Sequence, residues 1–183
     1  MKKIIGISFI TFGLYMCLND LSFEHNKKIV EDKKIASTFK DIVNYNHMDN
    51  IYTSILSIPK INLKKGIYDI ANPKNNIEEN IMIDKHSVYP NNDKSNVILV
   101  AHSGVGKKAY FNRLKELDYD SLIEFYYDHT KYVYKLDNKY QFEKTGKVKL
   151  EYDKNKKTIT LITCVDQDIQ IVYIGYLIDE INY

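Results

Sequence analysis

Hydrophobic and polar residues alternate along most of the chain after residue 50, and this period of two predicts β-strands. The stretch "IYTSILSIPKINLKKGIYDIA" predicts two strands joined at "NLKKG", with Pro59 at an edge or a bulge. The apolar run "SNVILVAHSG" predicts a buried strand that leads into a glycine-containing loop, and "AYFNRLKEL" predicts a short helix. Many short strands with few helices favour a closed barrel or a sandwich.

The second half of this region continues the same pattern. The residues from Asp120 to Cys164 predict several alternating strands with polar turns at "DNK" and "DKNKK", and "IQIVYIGYLI" predicts the last strand. The stretch "NPKNNIEEN" is polar and typical of turns. We therefore predict a mainly β domain over residues 49–183.

The N-terminal pattern is different. Lys2 and Lys3 precede a nearly uncharged apolar stretch of about 15 residues, close to a signal-peptide core and short for a membrane span. No cleavage site of small residues follows, so we predict an uncleaved signal-anchor over residues 1–19, with a cleaved signal peptide as the alternative. Residues 20–48 carry apolar side chains at near-helical spacing and predict an amphipathic helical linker. In both cases the bulk of the chain is exported.

Composition narrows the classes of function. A net charge of +2 gives no reason to propose a nucleic-acid partner. Two cysteines are too few for a disulfide framework or a zinc site. Cys17 lies in the N-terminal apolar stretch, which leaves Cys164 as the thiol of the predicted domain. Arg113 is the only arginine in the sequence.

Two residues are candidates for nucleophilic chemistry, because each ends a β-branched strand and begins a loop. His102 ends "VILVAH", and Cys164 ends "TLITC". If these strands are parallel neighbours, their ends coincide and an imidazole can meet a thiol, as cysteine nucleophiles require. A hydrogen-bonded strand-end histidine and an inert buried thiol are the alternatives on this pattern alone. The other histidines are predicted in surface or turn positions: His25, His47, His86 and His129.

Three blocks of sequence, in this order, resemble the sortases, the cysteine transpeptidases of Gram-positive cell surfaces. They are "IPKINL" with "IYD", then "NVILVAHSG" with "AYFNRLKEL", and "TLITC", which matches the family's TLxTC motif. The resemblance implies an eight-stranded β-barrel with Cys164 as nucleophile and His102 as general acid. It also implies that Thr163 helps to order the site and that no metal or organic cofactor is required. His86 matches a position where relatives often carry histidine, for which both a supporting and a structural role are open.

The chain departs from the family at one position. Sortases place an arginine at the start of the strand after the cysteine, where it binds the substrate backbone and the developing oxyanion; the matching residue here is Gln170. A glutamine amide donates a hydrogen bond without a charge, and losing one oxyanion donor typically costs about 2.7–4 kcal/mol. Arg113 belongs to the "FNRL" stretch and is expected to point elsewhere. Lys107 and Lys108, after His102, are the alternative cations.

The resemblance implies a single-pass membrane protein with its catalytic domain on the extracellular face. Cys164 would attack a carbonyl in a C-terminal sorting signal of the LPxTG or NPxTN type and form a thioester. An amine of a peptidoglycan precursor or a pilin lysine would then resolve the thioester. Two alternatives are a sortase-like binding module with weakened catalysis and an exported cysteine protease with a Cys–His dyad. Short connections on both sides of "TLITC" predict an open, shallow groove.

Overall fold

The computed structural model describes residues 52–145 and 148–182, together with residues 13, 15–17, 19–23, 26–27 and 29–37. The chain divides into two compact units, Met1–Ser37 and Thr38–Tyr183. The described residues of the first unit are helical. Among the residues that the structure describes, no helix has both the length and the apolar character needed to cross a bilayer. Most of the predicted anchor over residues 1–19, and residues 38–48 of the predicted linker, lie outside the described residues.

The second unit is built from eight strands and two short 3₁₀ helices. The strands are β1 (Ser54–Ile58), β2 (Leu63–Ile67), β3 (Met82–Ile83), β4 (Asn96–Val100), β5 (Leu122–Tyr127), β6 (Thr130–Glu143), β7 (Thr158–Cys164) and β8 (Ile169–Asn182). They form one sheet in the order β2-β1-β5-β6-β8-β7-β4-β3. All ladders in it are antiparallel except that between β4 and β7, which is parallel.

The sheet curls into a nearly closed barrel, so the predicted mainly β class is confirmed. Alternate residues of the strands point inward, and every strand contributes to one buried apolar cluster. One member from each strand in chain order is Leu56, Ile67, Ile83, Leu99, Ile123, Tyr134, Leu161 and Tyr173. The barrel interior is therefore a packed core, and functional side chains must lie on its outer face or at its ends.

The barrel is not closed by a ladder, which corrects the prediction of full closure. Strands β2 and β3 are the two ends of the sheet order, and no pairing between them occurs in the described residues. Strand β3 is only two residues long, so it offers little backbone for a ladder. Asn80, just before β3 and 1% exposed, instead donates its side-chain amide to the carbonyl of Gly66 in β2 at 2.7 Å. One side-chain hydrogen bond thus bridges the gap.

The predicted turn at "NLKKG" is misplaced, because the chain reverses over Pro59 to Asn62 and only the first residue of the predicted turn takes part. Pro59–Ile61 form a 3₁₀ helix, which suits a proline at its first position because that residue needs no N–H donor there. Asn62 follows with a left-handed φ of 52°, and β2 begins at Leu63. The residues "LKKG" therefore lie within β2.

The predicted turn at "DNK" is also wrong. Strand β6 continues through these residues, with a shift of register between Leu136 and Asn138. The shift is a bulge that lets β6 remain paired to the equally long β8. The turn at "DKNKK" is confirmed, since Lys156 donates its backbone N–H to the carbonyl of Asp153.

The stretch "AYFNRLKEL" forms turns and a 3₁₀ helix, Leu114–Glu116, rather than the predicted short helix over the whole stretch. Leu114 and Leu117 are buried in the core as the spacing predicted. Arg113 forks onto the carboxylate of Glu116 at 2.8 and 2.6 Å and onto the carbonyl of Ile61 at 2.9 Å. The single arginine therefore has a structural role.

Candidate active site

The parallel pair β4 and β7 brings the two candidate residues to the same end of the sheet. The alignment continues past the ladder, because Ala101 donates its N–H to the carbonyl of Ile162 at 3.3 Å. Thr163 returns a side-chain hydrogen bond from its Oγ1 to the carbonyl of Ala101 at 2.8 Å. His102 and Cys164, each one residue further along, are therefore neighbours across the strands. The condition under which the two strand ends coincide, that β4 and β7 are parallel neighbours, is met.

Both candidate side chains point away from the barrel interior. Ala101 and Thr163 are buried, at 1% and 4% exposure, and successive residues of a strand face opposite sides. His102 is accordingly 40% exposed in its side chain, and Cys164 is a half-buried free thiol. An accessible thiol beside an accessible imidazole is the arrangement that nucleophilic cysteine chemistry needs.

Two side-chain hydrogen bonds fix the strand ends at the level of the sulfur. One is the bond from buried Thr163 to Ala101. The other runs from the Oγ of Ser103, in the loop after His102, to the carbonyl of Cys164. The two accepting carbonyls belong to Ala101 and Cys164, at the C-terminal ends of β4 and β7. These bonds therefore restrain how far the imidazole of His102 and the thiol of Cys164 can separate.

Gln170 lies directly opposite Cys164 in the antiparallel ladder of β7 and β8. Its Nε2 donates toward the Cys164 Sγ at 3.9 Å. Phe142 of β6 faces Gln170 from the other side, so the row runs Phe142, Gln170, Cys164 across the outer face of the sheet. The glutamine amide is therefore the hydrogen-bond donor of β8 nearest the thiol among the described contacts.

A strip of apolar side chains forms the next rows of this face. Ile98, Ile162, Val172 and Ile174 make a buried cluster, against which Val100 and Phe142 pack. The connection between β6 and β7 covers part of it with Leu150 and Tyr152. Its described residues, 144–145 and 148–157, contain no helix, in keeping with the predicted short connection. Apolar surface therefore extends from the cysteine row along the outer face.

A family model described as the sortase domain matches residues 56–174, which is more than half of the chain. The chain belongs to the sortase family. This is a family of cysteine transpeptidases, and the matched segment contains His102, Cys164 and Gln170.

Solved sortase structures share the fold at low sequence identity. The chain is similar to the sortase D5 transpeptidase of Clostridium perfringens, with a TM-score of 0.65, 16% identity, and coverage of 82% of this chain and 99% of that one. It is similar to sortase C of Streptococcus pneumoniae, with a TM-score of 0.63, 14% identity, and coverage of 72% and 71%. For a lid mutant of sortase A from Corynebacterium diphtheriae the TM-score is 0.62, with 18% identity and coverage of 83% and 95%. A comparison with curated proteins gave no match.

His86 lies apart from this sortase's cysteine. His86 follows β3, two residues after Asp84, which donates its N–H to the carbonyl of Ile98 in β4. Ile98 lies four residues before His102, which corresponds to about 13 Å along the strand. The Nδ1 of His86 is 2.7 Å from the carboxylate of Asp84, and its side chain is exposed. The structure does not bring His86 and Cys164 together. His129 occupies the tight turn between β5 and β6, with a φ of 59°; His25 and His47 lie outside the described residues.

The alternative cations after His102 contact the turn before β3. Lys108 donates from Nζ to the carbonyl of Glu78 and lies 3.9 Å from the carboxylate of Glu79. Lys107 also has an interaction partner. Among the described residues, no group of three or more His, Cys, Asp or Glu side chains is arranged to hold a metal ion.

One residue at the site was not predicted from the sequence. The Oε1 of Glu78 lies 3.1 Å from the Nε2 of His102, although the two residues are 24 positions apart. Glu78 belongs to "NPKNNIEEN", which the pattern identified only as a polar turn. The two adjacent glutamates, Glu78 and Glu79, were the only feature of that stretch that could have indicated a site residue, and adjacent acidic residues are common on solvated turns.

Proposed function

We propose that this chain is a membrane-anchored sortase that cleaves a C-terminal sorting signal of exported surface proteins and transfers them to an amine. The signal is of the LPxTG or NPxTN type, and the acceptor is a peptidoglycan precursor or a pilin lysine. The observation that carries the proposal is the placement of His102 and Cys164 at the coincident ends of two parallel strands. The family match supports the same reaction class.

The chemistry needs three side chains in sequence. The Cys164 thiol gives its proton to His102 as its sulfur attacks the scissile carbonyl carbon, and the carbonyl oxygen takes up the negative charge and accepts a hydrogen bond from the Gln170 amide. The tetrahedral intermediate collapses to a thioester as the C–N bond breaks and His102 passes that proton to the departing amine. An acceptor amine then attacks the thioester and loses a proton to His102, which returns it to the Cys164 sulfur as the C–S bond breaks. No other group is required for the proton balance.

Mass spectrometry of the intact protein after incubation with a sorting-signal peptide library tests this proposal. We expect a mass increase equal to the acyl fragment on Cys164, which hydroxylamine removes. Cys164→Ala abolishes the adduct and leaves the free energy of unfolding within about 1–2 kcal/mol of wild type. His102→Ala lowers the acylation rate by a factor of about 10² or more, and the matched control His129→Ala leaves it unchanged. Equal losses at both histidines contradict the assignment.

Gln170 is the specific observation that favours a second candidate, a binding module with weakened catalysis. A neutral amide stands where relatives carry a charged donor, so peptide binding without turnover is the expected behaviour of such a module. Peptide that binds without forming an adduct identifies it. A protease resolves the thioester with water, whereas a transpeptidase resolves it with an amine. Adding a glycine or lysine amine to the same assay and measuring the ratio of hydrolysed to amine-linked product separates the two.

Membrane anchoring through residues 1–19 is part of the proposal and is tested separately. We expect the full chain to sediment with membranes when expressed in a Gram-positive host and the chain beginning at residue 49 to appear outside them. Protease added to intact cells should degrade the anchored domain from the extracellular side. Recovery of both forms in the soluble fraction contradicts the anchor while leaving the enzymology untouched.

A further inference from the structure

The turn before β3 presents a carboxylate to the imidazole of the candidate general acid. The Oε1 of Glu78 accepts from the Nε2 of His102 at 3.1 Å, and Glu78 lies outside every motif of the sequence. We propose that Glu78 is a positioning residue that orients the His102 ring toward Cys164. This inference rests on the proposed function, because it assigns a role within the same site.

The backbone that carries Glu78 is held firmly on one side by the barrel. Asn76 caps the turn, since its side-chain oxygen accepts from the N–H of Glu79 at 3.0 Å. Asn80, two residues after Glu78, is 1% exposed and bonds the carbonyl of Gly66 in β2 at 2.7 Å. A turn that is bonded on both sides of the residue loses little further backbone freedom when the carboxylate engages the imidazole.

The histidine loop holds the same turn from the other side. Lys108, six residues after His102, donates from its Nζ to the backbone carbonyl of Glu78. The turn and the loop are thus joined at two levels, one through Lys108 and one through His102 itself. This double connection distinguishes the Glu78 contact from a long surface side chain that meets a histidine by chance.

The contact with Glu78 determines which ring nitrogen of His102 carries the proton. A carboxylate accepts and does not donate, so its partner Nε2 carries the proton. The Nδ1 of His102 is then the nitrogen left to exchange a proton with the Cys164 thiol and with the departing amine. A third group that fixes the tautomer and orientation of a base is a recurring part of nucleophilic sites. The carboxylate also balances the charge of the imidazolium formed during turnover.

The experiment compares wild type with Glu78→Ala, Glu78→Gln and the matched control Glu79→Gln. The first readout is the nitrogen spectrum of ¹⁵N-histidine-labelled protein, with His102 assigned by its loss in His102→Asn. We expect the Nε2–H tautomer in wild type and in Glu79→Gln, and a mixture of tautomers in Glu78→Ala. The second readout is the rate of Cys164 alkylation by iodoacetamide, which needs no peptide.

Kinetics with an accepted peptide supply the third readout. We expect Glu78→Ala to lower kcat by a factor of about 3 to 10, the effect of one charge-assisted hydrogen bond to a carboxylate that is 76% exposed. KM should stay within about twofold, because Glu78 orients the histidine and does not bind peptide. Glu78→Gln keeps an acceptor oxygen and should recover part of the loss, and Glu79→Gln should match wild type.

Three results overturn the inference. They are an unchanged His102 spectrum and kcat in Glu78→Ala, equal losses in Glu79→Gln, and a faster reaction without the carboxylate. The last result means that Glu78 holds the imidazole away from Cys164. If wild type forms no adduct with any peptide, the proposed function fails, while the nitrogen spectrum and the alkylation rate still decide whether Glu78 positions His102.

Discussion

Replacing Gln170 tests the proposal that its amide stabilises a developing oxyanion. Gln170 lies directly across β7 and β8 from Cys164, with its amide nitrogen 3.9 Å from the sulfur. A carbonyl carbon bonded to that sulfur therefore places its oxygen within reach of the amide. Gln170→Ala removes this donor, and Gln170→Arg replaces it with a charged one.

The expected magnitudes follow from the type of hydrogen bond. Losing an oxyanion donor lowers the rate about 10²- to 10³-fold, and the half-buried position of Gln170 favours the lower end for Gln170→Ala. A charged donor forms a hydrogen bond roughly twice as strong as a neutral one, so Gln170→Arg should raise acylation about tenfold. Asp166 is a competing partner for the guanidinium, but its Oδ1 already accepts from the N–H groups of Asp168 and Ile169, each at 2.8 Å.

Single-turnover acylation, followed by quenched-flow mass spectrometry with saturating peptide, measures the relevant step directly. Gln141→Ala is the matched control, because Gln141 is an exposed glutamine on the neighbouring strand β6. An unchanged rate in Gln170→Ala refutes the reasoning. If that variant is silent while Lys107→Ala or Lys108→Ala abolishes acylation, a lysine supplies the charge instead.

Two further predictions concern stability. Thr163→Val leaves the buried carbonyl of Ala101 without its 2.8 Å side-chain donor, so we expect the free energy of unfolding to fall by about 1–3 kcal/mol in chemical denaturation and acylation to be slower. The control Thr160→Val, deeper in β7, should affect stability alone. Equal acylation in both variants contradicts a role for Thr163 in ordering the site. The hydrogen bond from Lys60, at 2.6 Å, lowers the pKa of Asp118 to about 2, so its stabilisation is complete above about pH 4 and is lost as the pH falls through about 2. The difference in Tm between wild type and Lys60→Met should shrink over that range in thermal unfolding, and a difference undiminished at pH 2 would exclude this ion pair as its source.

The β class was predictable because local pattern carries it, whereas the parallel pairing of the two strands was only a condition of the prediction, because it joins residues about 60 positions apart. The runs before His102 and Cys164 are apolar and β-branched, and such runs specify buried strands. Two turns were misplaced for a physical reason as well. At "DNK" the pairing of β6 with β8 overrides the local preference for a turn. At Pro59 the constraint of the proline ring places the reversal earlier in the chain than predicted.

The contacts of the site depend on loops and were harder to predict. Gln170 was identified only through the resemblance to the sortases, because it stands at the start of the strand where the family carries an arginine. Glu78 reaches His102 only because Asn80 and Lys108 hold its turn against the barrel and the histidine loop. No periodicity in the sequence encodes such a meeting. The lack of a β2–β3 ladder likewise depends on how few residues of β3 pair, which composition does not indicate.

The place of β8 in the sheet determines when the domain can be completed during synthesis. β8 follows every other described strand in the chain, yet it lies in the middle of the sheet, between β6 and β7. Without it the sheet order leaves two separate groups of strands, β2-β1-β5-β6 and β7-β4-β3, with no ladder between them in the described residues. Gln170 and the ladders that join the two groups all belong to this last strand. The row that carries Cys164 is therefore completed only after the rest of the domain has been synthesised, and a chain that ended before β8 would keep His102 and Cys164 but lack the amide beside the sulfur.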